Sequence, residues 1–178
     1  MAVDHRYFFC LRPSPLLAKR IGAFRSSLGY RGSIVSDHRL HVTLGITGDY
    51  PLPFPKVADC MMAIGGQIDA EPFSLFLDRL SGSDEVIALR PSRRPPQLGI
   101  LQRQIERWMR RSGVLREGWK FAPHSTLLYR KGDPFLLPCE PFEWAATELV
   151  LIHSLVGATR HVELGRWPLV RRQLELAL

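Results

Sequence analysis

The sequence lacks long hydrophobic runs and has few cysteines. None of its 178 residues falls in a stretch that approaches the roughly 18 apolar residues of a membrane span, and the segment Met1 to Leu17 holds only one short apolar run, Tyr7 to Leu11. We therefore expect a soluble protein without a targeting segment or membrane association. Three cysteines, Cys10, Cys60 and Cys139, form no C-x-x-C pair, and their odd number argues against a disulfide framework. This cysteine usage predicts a reducing, cytoplasmic environment.

Metal-ligand spacings are also missing. The six histidines and three cysteines show neither H-x-x-x-H nor C-x-x-C. The sequence therefore disfavours a zinc enzyme, and we expect no metal and no cofactor.

Acidic residues are scarce in one segment. Positions 90–120 hold eight arginines and one lysine against Glu106 and Glu117, so this segment carries the whole net charge of +7. A concentrated positive charge favours a polyanionic partner such as RNA. A solvated helix face explains the same pattern equally well.

Hydrophobic periodicity predicts an α+β chain with an imperfect internal repeat. In each half a strand and a helix precede a second strand that carries a histidine. The proline-rich and arginine-rich segment 91–96 is the best candidate for a hinge between the halves, and a loop is expected to run through Pro141. Helices are predicted after Ser14-Pro15, over 56–68 and from Leu98 until Gly113; strands are predicted at 6–12, 40–44, 73–77, 85–90, 124–129, 142–147, 148–156 and 160–167.

Two short stretches read almost the same: His41-Val42-Thr43-Leu44 and His124-Ser125-Thr126-Leu127. On a strand, residues i and i+2 project from one face, so each stretch presents an imidazole and a hydroxyl together. One such stretch arises often by chance. Two of them, one in each half, predict two facing imidazoles and two facing hydroxyls, a set suited to holding and cleaving a phosphodiester.

Three segments together resemble one known family. RLHVTLGITGDY, FAPHSTLLYR and ELVLIHSLVGATRHVELGRWPL occur in the order and approximate spacing of the 2H phosphoesterase superfamily. Within it they are similar to the bacterial 2'-5' RNA ligases and RNA 2',3'-cyclic phosphodiesterases. The resemblance implies one bilobal α+β domain over 1–178, with two antiparallel sheets, outer helices, a central cleft and a pseudo-two-fold repeat.

The resemblance also implies metal-independent hydrolysis of a 2',3'-cyclic phosphate on RNA or a nucleotide to a 2'-phosphate. His41 and His124 would be the catalytic acid and base, with His124 as base, and Thr43 and Thr126 would bind the phosphate. Histidine suits both roles because its ordinary pKa of ~6.5 lets one imidazole be neutral while the other is protonated. The residues alone do not fix which histidine is which.

Further substrate contacts are open at four positions. Phe8 and Tyr129 could stack on a base, although strand aromatics usually belong to a core. Tyr129 stands where many relatives have arginine, so Arg130 is only a weak phosphate ligand, and His153 is more readily a structural histidine in its strand. The histidines expected at the surface are His5, His38 and His161.

Alternative functions remain at this stage. The same motifs would serve a 2'-5' RNA ligase or a phosphodiesterase for a small cyclic nucleotide such as an ADP-ribose cyclic phosphate. A non-catalytic RNA-binding protein is less favoured. We expect a monomer.

Overall fold

The computed structural model describes residues 3–170, so the predicted range 1–178 extends beyond the described residues at both ends. An α+β chain with two antiparallel sheets confirms the predicted fold class. A single 3-10 turn, Asp37–Arg39, precedes the first histidine motif. The helices and strands are β1 (Asp4–Leu11), α1 (Pro15–Ser27), β2 (Ser33–Ile34), β3 (Val42–Ile46), α2 (Pro55–Gly65), β4 (Phe73–Gly82), β5 (Val86–Arg90), α3 (Pro96–Arg111), β6 (Ser125–Tyr129), β7 (Phe135–Ala146), β8 (Glu148–Val156) and β9 (Arg160–Pro168).

Helix α1 begins and ends where its sequence predicts. The hydroxyl of Ser14 accepts a hydrogen bond from the Leu17 amide at 3.2 Å, which satisfies one of the free donors of the first turn, and Pro15 takes the first helical position. Gly29 follows the helix with a φ of 68°, a conformation that glycine adopts without steric cost.

Each sheet draws its strands from both ends of the chain. The first sheet has the order β3-β1-β8-β9, and the second has the order β2-β6-β5-β4-β7. The prediction that segment 91–96 is a hinge between the two halves of the chain is therefore wrong, because each sheet contains strands from both sides of it. That segment joins β5 of the second sheet to α3, which packs against β3 of the first.

The predicted internal repeat is confirmed and consists of two β-α-β units. In the first unit, β1 pairs antiparallel with β3, and α1 lies between them in sequence. In the second unit, β5 pairs antiparallel with β6, and α3 lies between them in sequence. Each helix crosses to the opposite lobe, because α1 packs against β7 of the second sheet and α3 against β3 of the first. The two units are therefore interlocked, which brings their histidine strands to one cleft.

The hydrophobic core continues from one sheet to the other. Phe9 and Leu11 of β1 share one buried cluster with Leu77 of β4 and Trp144 of β7, all fully buried. Burying a side chain of this size stabilises the fold by about 1.5–3 kcal/mol. The opposite face of β1 and β8 carries a second, smaller cluster made of Phe8, Cys10, Val150 and Ile152. The first sheet thus has two apolar faces, and the smaller one forms the floor of the cleft.

Strand β7 is longer than its sequence predicts. The expected loop through Pro141 is instead part of a strand that starts at Phe135 and pairs with β4 over most of its length. Prolines are tolerated there because β7 is an edge strand that pairs only with β4. A proline whose nitrogen faces the open side of the strand removes no hydrogen bond from that pairing. No helix within residues 3–170 is long and apolar enough to cross a membrane.

Candidate active site

The two histidine motifs share an irregularity of the backbone. Along β1 and β3 the pairing runs Phe9 with Gly45 and then Cys10 with Thr43, so Leu44 is an extra residue without a partner. Along β5 and β6 the residue that is skipped in the same way is Leu127. Each bulge therefore falls on the leucine that follows the motif threonine.

The bulges decide which later side chain returns to the cleft. A bulge re-aims the side chains that follow it, because it breaks the alternation of the strand. Leu44 and Gly45 are buried and do not line the cleft, with Ile105 and Met109 packed against Gly45, and the side chain of Ile46 returns to the cleft. Leu127 and Leu128 are likewise buried, and Tyr129 returns to the cleft. The positions five residues after each histidine are therefore equivalent.

One cleft, a cavity of about 450 Å³, holds the predicted catalytic set. It is lined by both motif histidines and both motif threonines. The other residues that line it are Arg6, Phe8, Val35, Arg39, Ile46, Trp119, Lys120, Ala122, Tyr129, Ser154, Leu155, Val156, Gly157, Thr159 and His161.

Both motif histidines are anchored in the same way. Nδ1 of His41 lies 2.6 Å from the carbonyl oxygen of Arg39, and Nδ1 of His124 lies 2.7 Å from that of Ala122. A carbonyl only accepts, so each Nδ1 carries the hydrogen and donates it. Nε2 of each ring is then available to a ligand in the cleft.

Burial lowers the pKa of both histidines, because the imidazolium form is poorly solvated there. The pKa of His41 falls to about 4; the hydrogen bond to Arg39 opposes this shift, and the positive charges of His124, Arg39 and Arg12 add to it. The pKa of His124 is also lowered, first by burial and then by the charge of Arg90. That His124 affects His41 electrostatically agrees with their shared position in the cleft.

His161 is a cleft residue that the sequence pattern does not predict. Its ring meets that of His41 edge to face at 5.5 Å between centroids and that of Phe8 at 5.3 Å, while Phe8 stacks on His41 at 4.8 Å. The pKa of His161 is lowered to about 3, first by burial and then by the positive charge of His41. Only the register of β8 with β9, which pairs His161 with the cleft residue Ser154, identifies this position.

The four further contact candidates divide into two pairs. Phe8 and Tyr129 line the cleft, and Tyr129 is 51% exposed. Arg130 points elsewhere, with its guanidinium carbon 4.9 Å from the ring centroid of Tyr30 and 5.6 Å from that of Phe135. The structure therefore does not bring Arg130 to the cleft.

His153 also lies outside the cleft. Its ring stacks on Tyr7 at 4.6 Å, and its Nε2 is 2.8 Å from Nδ1 of His5. Tyr7 faces the main core, so His153 projects from the side of the first sheet opposite to the cleft floor. Its neighbour Ser154 takes the cleft side, as expected from strand alternation.

Among the described residues, 3–170, no aspartate or glutamate lines the cleft. Arg6 is neutralised by Asp49, with contacts of 2.5 and 2.7 Å. Within residues 3–170, no carboxylate lies within 4.0 Å of the Arg39 guanidinium, and its buried Nε has no hydrogen-bond partner. Across the same part of the chain, no three His, Cys, Asp or Glu side chains form a group able to hold a metal ion. The charge of the cleft therefore favours an anionic ligand.

Comparison with known proteins agrees with this geometry. The model of the 2'-5' RNA ligase superfamily matches residues 13–158. The structure of Escherichia coli LigT complexed with 3'-AMP aligns with a TM-score of 0.81 at 25% identity, covering 94% of this chain and 99% of that chain. A structure described as a phosphoesterase aligns at 0.78 with 25% identity over the same shares. A Thermus thermophilus protein aligns at 0.73 with 20% identity, over 92% of this chain and 97% of that chain. No curated protein sequence matches significantly.

Proposed function

The chain belongs to the 2'-5' RNA ligase superfamily of 2H phosphoesterases, and we propose that it hydrolyses the 2',3'-cyclic phosphate ends of RNA or nucleotides to a 2'-phosphate. The observation that carries the proposal is the matched pair His41 and His124. Both rings are fixed through Nδ1 to a backbone carbonyl, and both line one cleft to which the described part of the chain contributes no carboxylate. Two imidazoles with free Nε2 atoms supply the base and the acid that phosphodiester hydrolysis needs.

The reaction uses one proton acceptor and one proton donor. A neutral imidazole takes a proton from water as the water oxygen forms a bond to phosphorus. The bond between phosphorus and the ribose 3'-oxygen breaks in line with that attack, and the second imidazole, protonated, gives its proton to the departing oxygen. The products are a 2'-phosphate and a free 3'-hydroxyl. The two histidines then regain their starting states by exchange with solvent.

Three further groups serve the non-bridging oxygens of the phosphate. The hydroxyls of Thr43 and Thr126 can donate hydrogen bonds to them, and each threonine lies near the start of its strand, two residues after its motif histidine. Arg39 adds a planar cation that has no carboxylate partner within the described residues. These donors stabilise the charge that builds up on phosphorus-bound oxygens in the transition state, without a metal ion having to supply it.

The assignment of acid and base depends on two arguments that disagree. The resemblance noted in the sequence implies His124 as base and His41 as acid. The electrostatics favours the opposite order. The pKa values of both histidines are lowered, but that of His41 falls strongly, to about 4, so His124 is the more readily protonated of the two. We propose the order that electrostatics favours, with His41 as base.

Nucleotides are the substrate class with most support. LigT, a relative at 25% identity, was crystallised with 3'-AMP. The cleft volume of about 450 Å³ lies in the range of small-molecule sites, and the exposed ring of Tyr129 offers a face to a base, whereas Phe8 is buried beneath His41. The same groups would serve the reverse reaction, 2'-5' ligation, or hydrolysis of a small cyclic nucleotide.

Turnover on RNA ending in a 2',3'-cyclic phosphate tests the proposal. We expect hydrolysis, with the phosphate left on the 2'-oxygen, as identified by phosphorus NMR of the product. Formation of a 3'-phosphate would reverse the orientation of the substrate, and absence of turnover on both RNA and cyclic nucleotides would overturn the proposed activity.

A further inference from the structure

The basic segment 90–120 is divided by the fold into a helix far from the cleft and two ends that lie beside it. Helix α3 packs behind the first sheet, where Ile105 and Met109 crowd Gly45, whereas Thr43 of the same strand faces the cleft. The exposed arginines of α3, such as Arg103, are therefore on the far side of that sheet. Charge on the helix is poorly placed to act on a ligand held in the cleft.

The two ends of the segment meet at the edge of the cleft. Trp119 and Lys120 line it, and the rings of Trp119 and Phe121 lie 6.2 Å apart. The guanidinium carbon of Arg94, from the other end of the segment, stands 5.7 Å from the centroid of Phe121. These four residues form what we call the cleft-edge strip, which leads outward from the catalytic histidines.

The composition of the strip suits single-stranded nucleic acid. Arg94 and Lys120 are both exposed, and neither forms an ion pair with any residue in 3–170. Aromatic rings and arginine planes accept any base by stacking, and cations track the phosphates. Among the arginines of α3, Arg110 is paired with Glu106 at 2.7 Å, whereas Arg103 is exposed and forms no ion pair within residues 3–170, so Arg103 differs from Arg94 in position alone.

We propose that the cleft-edge strip binds the nucleotides that precede the terminal one, so that the substrate is the end of a single-stranded RNA and not a free mononucleotide. This inference rests on the proposed function for the identity of the terminal group. The binding of the preceding nucleotides can be measured without turnover.

The first experiment measures binding alone. A fluorescein-labelled RNA hexamer that ends in a 2'-phosphate, and so carries no cyclic bond to cleave, is titrated with wild type, Arg94→Gln and the matched control Arg103→Gln. We expect ~5-fold or greater weakening for Arg94→Gln, with a smaller salt dependence, and a change of less than ~2-fold for Arg103→Gln. Both arginines are exposed and carry the same charge, so the comparison isolates position.

The second experiment measures selectivity. The ratio of kcat/KM for a cyclic-phosphate hexamer to that for a cyclic mononucleotide should fall about 5-fold in Arg94→Gln and stay constant in Arg103→Gln. Two results would overturn the proposal that the strip binds RNA. One is equal affinity of Arg94→Gln and wild type for the hexamer, and the other is an equal loss of affinity in Arg94→Gln and Arg103→Gln. Weakened binding by Arg94→Gln without any turnover by wild type would support the strip and overturn the phosphodiesterase function.

Discussion

The rings of His41 and His161 meet edge to face, 5.5 Å apart, on the floor of the cleft. Both are held in surroundings that disfavour the imidazolium form, with the pKa of His41 at about 4 and that of His161 at about 3. The charged groups that act on His161 are His41, Arg39, Arg12 and His38, and all of them oppose its protonation. Acid should therefore destabilise the folded protein at this point.

The His161→Asn variant should be less sensitive to acid than wild type. An unfolded chain protonates His161 near pH ~6.5, but the folded chain resists protonation down to about pH 3. The stability that the neutral ring contributes is thus complete above ~6.5 and is lost progressively as pH falls toward 3. Between pH 7 and 5 the loss from this residue is on the order of 1 kcal/mol, because solvent screens the partly exposed ring.

Urea unfolding of wild type and variants at pH 7 and pH 5 checks this. His38→Asn is the comparison: His38 is exposed and its charge has the smallest effect among those named for His161, so this variant should keep most of the pH dependence of wild type. If His161→Asn also keeps it, the acid sensitivity has another source.

His41→Ala and His124→Ala should each lower kcat/KM by about 10²- to 10⁴-fold while leaving the fold intact, because each removes one proton-transfer partner. The double variant should lose little more than either single variant, since the two act as a unit. Thr43→Val and Thr126→Val should cost about 10- to 1000-fold, as expected for one transition-state hydrogen bond. Circular dichroism controls for folding. Turnover near that of wild type in either histidine variant would contradict the mechanism.

The sequence pattern predicts the catalytic set but not its surroundings. His-x-Thr on a strand places both side chains on one face, whatever the fold, so His41 and Thr43 could be identified locally. The side chains beyond each threonine could not. Strict alternation from Thr126 would turn Leu128 and Arg130 toward the cleft, whereas the bulge at Leu127 turns Tyr129 there.

The other differences arise from contacts between distant strands. His161 reaches the cleft through the pairing of β9 with β8, a register that depends on the Leu151/Ile152 irregularity and is not visible in the sequence. The interlocked helices have the same origin, because which sheet a helix covers depends on tertiary packing and not on its own periodicity. The prolines of segment 91–96 predict a hinge for the same reason, although both sheets contain strands from either side of that segment.

An activated leaving group should assign the roles of the two histidines. A p-nitrophenyl phosphodiester releases a stable anion that needs no proton, so loss of the general acid matters little and loss of the base remains severe. The strongly lowered pKa of His41, about 4, suits it to the base role. We therefore expect His124→Ala to be much more active on this substrate than on the cyclic phosphate, and His41→Ala to stay inactive on both. Release of p-nitrophenolate is followed by absorbance. Recovery by His41→Ala instead would restore the order that the sequence resemblance implies.

Activity should be insensitive to chelation. The proposed mechanism draws its proton transfers from imidazoles and its anion stabilisation from hydroxyls and a guanidinium. Protein treated with EDTA and then assayed in metal-free buffer should retain its kcat/KM, and added Mg²⁺ or Zn²⁺ should not raise it. Activity that is lost on chelation and regained with one metal would assign that metal a role.

Arg39 provides the last test, because its position separates a ligand-binding role from a structural one. Its guanidinium lines the cleft, and its buried Nε has no partner among the described residues. A charge-assisted hydrogen bond is worth about 1.5–3 kcal/mol, so Arg39→Gln should lower kcat/KM by about 10- to 150-fold, with Arg39→Lys in between. Inhibition by inorganic phosphate should weaken in parallel.

The stability of the Arg39→Gln variant should not fall with its activity. Arg39 is half-buried and forms no ion pair within residues 3–170, so its replacement by a neutral amide breaks no such pair and should leave the free energy of unfolding nearly unchanged. Arg6→Gln is the comparison, because Arg6 also lines the cleft but is already paired with Asp49, and it should lose less activity. Loss of stability together with activity in Arg39→Gln would make Arg39 a structural residue. Loss of activity alone would identify it as a cation that this fold holds unpaired for an anionic substrate.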